Sequence, residues 1–141
     1  MSEDKYPLPR AVIFDDTAAL ALGAGNRMAS RLVVEAEKDP TLRVYIAAVS
    51  LASAERERAG LAEHVGALSS VSVEGLDFAA AVAVGKWLRD KSEGETEADW
   101  SGAHVLHLAR PTFEWPRGRP VLTRTPDRYR GTAIRTIRVV E

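Results

Sequence analysis

Ala11-Val-Ile-Phe-Asp15-Asp16-Thr17-Ala-Ala-Leu20-Ala-Leu22 decides the reading of this chain. An uninterrupted apolar run ends in two carboxylates and a hydroxyl, then passes into an alanine- and leucine-rich segment without a glycine or proline between. The pattern is a buried strand feeding directly into a helix. In open α/β sheets, ligands gather outside the carboxyl ends of the strands, and a buried carboxylate there needs a cation or several donors to offset its desolvation. Asp15, Asp16 and Thr17 are therefore the first candidate site residues. Asp and Thr are also ordinary helix caps, and that plainer reading stands beside the first.

Outward from this stretch, strands and helices alternate. The first strand covers about 11 to 15 and the first helix Thr17 to Leu22, closed by Gly23-Ala-Gly25-Asn26. Met28, Leu32 and Ala36 fall at helical spacing up to Asp39-Pro40. Arg43 to Val49 reads as a second buried strand, and Ser50 as the cap of the helix after it. Leu51 to Ala59 and Leu61 to Leu68 read as short helices divided at Gly60, Val71 to Val73 as a small strand, and Asp77 as the cap of a helix from Phe78 to Asp90. Residues 91 to 98 are a polar, acidic connection. A helix from Asp99 or Ser101 to Ala109, a proline-rich loop from Pro111 to Pro120, a strand Val121-Leu-Thr123, a turn at Thr125-Pro126-Asp127 and a last strand from Ile134 to Val140 complete the chain. Such alternation predicts a single three-layer α/β/α domain over residues 1 to 141. It has a central, mainly parallel sheet of four to five strands and a polar extension at residues 1 to 9.

Composition limits the function classes. With 45% hydrophobic and 28% charged residues the chain has material for a core. It has no cysteine, which excludes thiolate zinc sites, disulfides and cysteine nucleophiles and agrees with a cytoplasmic setting. No stretch is long and apolar enough to span a bilayer, so a membrane role is not expected. The formal net charge of −1 argues against bulk attraction to nucleic acid, yet eight arginines lie between Arg110 and Arg138 against only Glu114 and Asp127. Arg117, Arg119, Arg124, Arg128 and Arg130 read equally as phosphate contacts on a cleft rim or as a salt-bridged surface.

In the expected sheet, polar residues converge from four segments: Asp15 and Asp16 after strand one, Glu55 after strand two, Asp99 and His104 before strand four, and Thr123, Thr125 and Asp127 after it. Carboxylates gathered this way suit Mg²⁺ or Mn²⁺, which can activate water for phosphodiester hydrolysis. Gly23-Ala-Gly25-Asn26 follows a helix rather than a strand and makes no phosphate loop.

The order of elements and several segments resemble the PIN domain, the fold of many toxin-antitoxin ribonucleases. Phe14-Asp15-Asp16-Thr17-Ala18-Ala19-Leu20 resembles that family's Asp-Thr-Ser-x-Leu opening, and Ser50-Leu-Ala-Ser-Ala-Glu55-Arg56 its second motif. His104-Val-Leu-His107-Leu-Ala109 resembles the Asp-Ala-Leu-His-Leu-Ala segment with His104 in place of the third acid. Val121-Leu-Thr123-Arg124-Thr125-Pro126-Asp127-Arg128-Tyr129 resembles the closing Leu-Thr-x-Asp-x-x-Phe motif with Thr125 at its aspartate. Leu20-Ala-Leu-Gly-Ala-Gly-Asn26 is similar to an actinomycete-like branch of the family.

The resemblance implies a divalent-metal-dependent ribonuclease, the toxin of a toxin-antitoxin pair. Asp15 and Glu55 would be metal ligands; Asp99, five residues before His104, and Asp127, two after Thr125, are relocated acids, Asp99 as a further ligand and Asp127 joining His104 in catalysis. Asp16, Thr17, Thr123, Thr125, Arg124 and Arg128 would position ligands or substrate, and RNA, an antitoxin protein and a second copy of the chain would be partners. The alternative is a catalytically weak or inactive PIN-like module that binds protein or RNA, pointed to by His104 and Thr125 at acidic positions. Trp100, Phe113 and Trp115 read as base-stacking groups or, more simply, as packing for the proline loop. Phe78, Val82, Gly85, Trp87 and Leu88 read as core or as a dimer face.

Overall fold

The structure is a computed structural model describing residues 10–91 and 98–141. The expected polar extension at 1–9 and most of the acidic connection lie outside the described residues. Five strands, β1 (Arg10–Phe14), β2 (Leu42–Ala47), β3 (Val71–Glu74), β4 (Val121–Thr123) and β5 (Thr136–Arg138), form one sheet in the order β3-β2-β1-β4-β5. Every pairing is parallel, with Ile13 opposite both Tyr45 and Val121. Parallel neighbours require crossovers, and among the described residues those between β1 and β4 are helical: α1 (Asp16–Gly23), α2 (Arg27–Lys38), α3 (Ala48–Glu57), α4 (Leu61–Gly66), α5 (Phe78–Lys91) and α6 (Trp100–Ala109).

Alternation along the central strands divides the core in two. Val12, Phe14, Val44, Ile46 and Leu122 face α1, α2 and α4, packing with Ala18, Leu22, Val33, Leu61 and Val65. Ala11, Ile13, Tyr45 and Val121 face the opposite layer, packing with Val105, Leu108 and Tyr129. The three-layer α/β/α class is thus present. Behind α6, helix α5 rests on it through Val84, Leu88 and Ala103, leaving Phe78 and Val82 exposed. These two residues belong to a surface face, and Leu88 belongs to the core. Of the three aromatic residues expected to pack the proline loop onto the preceding helix, Trp115 packs against the core layer that holds Leu108 and Ala109, whereas Phe113 and Trp100 are exposed.

Four local expectations shift. The second strand stops at Ala47, and Ala48 and Val49 already belong to α3, so an apolar run that reads as one strand is divided between two elements. Ser50 is inside α3 rather than at its cap, which is Ala47 and has no side-chain bond. The last strand is confined to Thr136–Arg138, and Pro126–Tyr129 winds into a single 3₁₀ turn instead of an open one. Among the described residues no helix is long and apolar enough to cross a membrane.

Chain order reverses between β1 and β4. From β1 the chain moves outward to β2 and β3, then returns to lay β4 on the other side of β1. The loops leaving β1 and β4 therefore diverge, and a crevice opens at their carboxyl ends.

Candidate functional site

Asp15 stands at that crevice. As the N-cap of α1 it accepts the backbone N–H of Ala18 at 3.0 Å and the Thr17 hydroxyl at 2.7 Å on Oδ1. The other oxygen, Oδ2, accepts the Tyr129 hydroxyl at 2.8 Å and Nη1 of Arg128 at 3.3 Å. The side chain is completely buried. Both sequence readings of Asp15 thus meet in one residue: it caps a helix and it anchors a polar cluster.

The same Arg128 nitrogen lies 2.5 Å from Asp16 Oδ1, which also accepts the Ser101 hydroxyl at 3.0 Å. Ser53 donates to Asp16 Oδ2 at 3.4 Å, and Ser50 lies 2.8 Å from Ser101. From the start of α6, Asp99 meets the guanidinium squarely: Nε reaches Oδ2 and Nη2 reaches Oδ1, each at 2.8 Å. This two-pronged geometry is the strongest arrangement available to an arginine and a carboxylate. Asp99 is simultaneously the N-cap of α6, accepting Gly102 N–H at 2.8 Å. A Cβ at Gly102 would lie 2.2 Å from Asp99 Oδ2, so a larger residue there would displace this carboxylate.

Arg128 is therefore seated among Asp15, Asp16 and Asp99, with 18% of its side chain exposed. Burial works against its charge, but the hydrogen bonds to Asp99 and Asp16 more than reverse this and raise its pKa. Burial pushes the Asp99 carboxyl up, yet the bonds from Arg128 and Gly102 outweigh it and leave the group below its ordinary range. Tyr129 is held protonated by burial and by the neighbouring charge of Asp15. It is a donor here and not a base.

The remaining candidates divide. Thr17 accepts the backbone N–H of Arg124 at 2.8 Å, and its hydroxyl lies 3.3 Å from that of Thr123. Thr123, fully buried, accepts the N–H of Thr125 at 3.0 Å. These threonines tie the end of β1 to the end of β4. Glu55 is not bonded to the cluster; its carboxylate accepts the N–H groups of Gly60 at 2.9 Å and Ala62 at 2.8 Å, which holds it below its ordinary pKa and fastens the start of α4. Asp127 faces outward and pairs with Arg130 at 2.7 Å. The Arg124 side chain turns away to Glu141. His104 is completely buried on α6, with Nδ1 facing the N–H of Val49 at 3.4 Å and Nε2 without a hydrogen-bond partner among the described residues. Burial depresses its pKa, which favours the uncharged ring. His107 lies beside Arg110, 3.4 Å from its guanidinium.

Sequence reasoning did not single out Tyr129, Ser53 or Ser101, nor assign Ser50 to this network. It leaves Arg128 equally as a phosphate contact on a cleft rim or as part of a salt-bridged surface; the side chain is salt-bridged, but to the acids of the crevice. The available signal was charge balance: two adjacent aspartates leaving one strand, and an Arg-Tyr pair leaving its neighbour.

A divalent ion is implied by the acidic cluster and by the family resemblance. Each carboxylate oxygen of Asp15, Asp16 and Asp99 already accepts a protein donor, and one guanidinium spans all three side chains. With the Arg128 guanidinium lying among the three carboxylates, this arrangement does not fit a divalent ion, which would need that same position beside a fixed cation. No protein-family model matches the sequence, and no curated protein matches it.

Proposed function

We propose that this chain is a PIN-like domain whose acidic site is closed by its own arginine, and that it works as a protein-binding module rather than as a nuclease. The observation that carries this reading is the Arg128 guanidinium lying across Asp15, Asp16 and Asp99. One internal cation supplies the neutralisation that such a cluster otherwise takes from a metal. It leaves more carboxylates than guanidinium groups in the cluster, a poor surface for RNA phosphates. Elsewhere Val73, Leu76, Phe78 and Val82 are exposed along β3 and the start of α5, as on surfaces that proteins cover. An antitoxin-like protein and a second copy of the chain are the partners implied by the resemblance.

The second reading is a divalent-metal-dependent ribonuclease of the toxin-antitoxin kind. Its support is the convergence of Asp15, Asp16 and Asp99 at the sheet's crevice, and it requires Arg128 to withdraw so that Mg²⁺ or Mn²⁺ can take its place. Cleavage of a mixed pool of single-stranded and structured RNA separates the two, using wild type, Asp15→Asn and Glu55→Gln with Mn²⁺, Mg²⁺ or chelator. The module reading predicts no metal-dependent cleavage by wild type. Cleavage that needs metal and disappears in Asp15→Asn would replace it with the nuclease reading.

A further inference from the structure

We infer that the cleft between the amino-terminal end of α2, Arg124 and the Val140-Glu141 pair is a docking groove for an acidic, partly apolar peptide segment of a partner protein; this rests on the module reading above. The cleft has a volume of about 760 Å³, and none of Asp15, Asp16, Asp99 and Arg128 lines it. Arg27 and Arg31 are one helical turn apart, so their side chains share a face. Both are exposed, and among the described residues neither has an ion-pair partner. Met28 and Leu32, half-buried on the same stretch of helix, supply an apolar floor.

The third arginine shows what the groove accepts. Arg124 holds Glu141 with Nε on Oε2 at 2.8 Å and Nη2 on Oε1 at 3.3 Å. The preceding Val140 is 68% exposed, and its carbonyl accepts the Asn26 side-chain N–H at 2.9 Å. An apolar side chain followed by a carboxylate thus already lines the groove at Val140 and Glu141. Glu141 is itself 64% exposed, so its bond to Arg124 is weakly held and open to exchange. Once Glu141 leaves, Arg27, Arg31 and Arg124 face only Glu35 among the lining charges. A bare phosphate would use the arginines but not the apolar floor. A segment bearing carboxylates beside aliphatic side chains uses both.

Fluorescence anisotropy with the full chain tests this. The probes are a short labelled peptide of glutamate, leucine and alanine, the same peptide with lysine for glutamate, and labelled oligouridylate. The acidic peptide is expected to bind saturably and the lysine peptide not to bind. Arg27→Glu with Arg31→Glu is expected to weaken binding at least about tenfold, and Glu141→Gln to strengthen it about threefold by weakening the internal competitor. Arg27→Ala with Arg31→Ala, checked by an unchanged thermal melt, guards against charge reversal disturbing the fold. Equal affinity in the arginine variants, or oligouridylate binding more tightly than the acidic peptide, would overturn the groove. Metal-dependent RNA cleavage by wild type would overturn the module reading. Absent peptide binding without cleavage would overturn the groove alone.

Discussion

Arg124 and Arg128 leave the same strand four residues apart and have opposite fates. Arg128 turns inward, keeps 18% of its side chain exposed and is shared by three aspartates. Arg124 turns outward, keeps 35% and meets one glutamate that is itself 64% exposed. Coulomb attraction between neighbours is similar in kind, but its worth depends on where the charges lie. Removing one partner of a buried pair leaves uncompensated charge and costs several kcal/mol, whereas an exposed pair in water contributes little. The first arginine is thus part of the folded core's charge balance, and the second is available to a ligand.

Removing Arg128 should break this contrast most strongly. Arg128→Met keeps the aliphatic volume but leaves Asp15, Asp16 and Asp99 facing one another, and should destabilise the protein by about 3–5 kcal/mol in urea unfolding. Tyr129→Phe removes one donor from the fully buried Asp15 carboxylate and should cost about 1.5–3 kcal/mol, without altering secondary structure by circular dichroism. At the other arginine, Arg124→Ala should change stability by less than about 1 kcal/mol. A loss there as large as for Arg128→Met would erase the distinction.

Acidity sharpens the comparison. His104 has a folded pKa depressed below its ordinary value of 6.5, so its contribution is present above pH 6.5 and is lost as pH falls through the folded value, where the unfolded chain takes up the proton first. Asp99 is likewise depressed, from 3.8, and its contribution is lost only as pH falls below that value. Wild type should therefore lose stability in two steps on acidification. His104→Gln should reduce the upper step, to which His107, also depressed by burial, contributes the rest, and Arg128→Met should diminish the lower one. Thermal melts between pH 3 and 7 measure both.

Much of the fold is legible because burial imposes periodicity. Val12 and Phe14 face one layer while Ala11 and Ile13 face the other, and strands buried on both faces read as continuous apolar runs. The boundary at Ala47 is not legible for the same reason: Ala48 and Val49 suit a strand or a helix, and no capping side chain marks the change. Within the site, Asp15, Asp16 and Asp99 were identified as carboxylates at element junctions, and the structure brings them together. Glu55 carries the right charge in the right helix, but Gly60 follows five residues later and its N–H, with that of Ala62, takes the carboxylate. Arg128 was named without its direction. A sequence records that an arginine follows β4; only the packing of the 3₁₀ turn decides whether it faces water or the acids.

The central claim is that Arg128 stands where a divalent ion would otherwise be needed. Calorimetric titration of Mn²⁺ into the wild-type protein at neutral pH tests it most directly. No saturable heat is predicted, because the carboxylate oxygens are already engaged by Arg128, Tyr129, Thr17, Ser53, Ser101 and backbone N–H groups. A one-site isotherm that disappears in Asp15→Asn would contradict the account and show that the arginine yields to the metal.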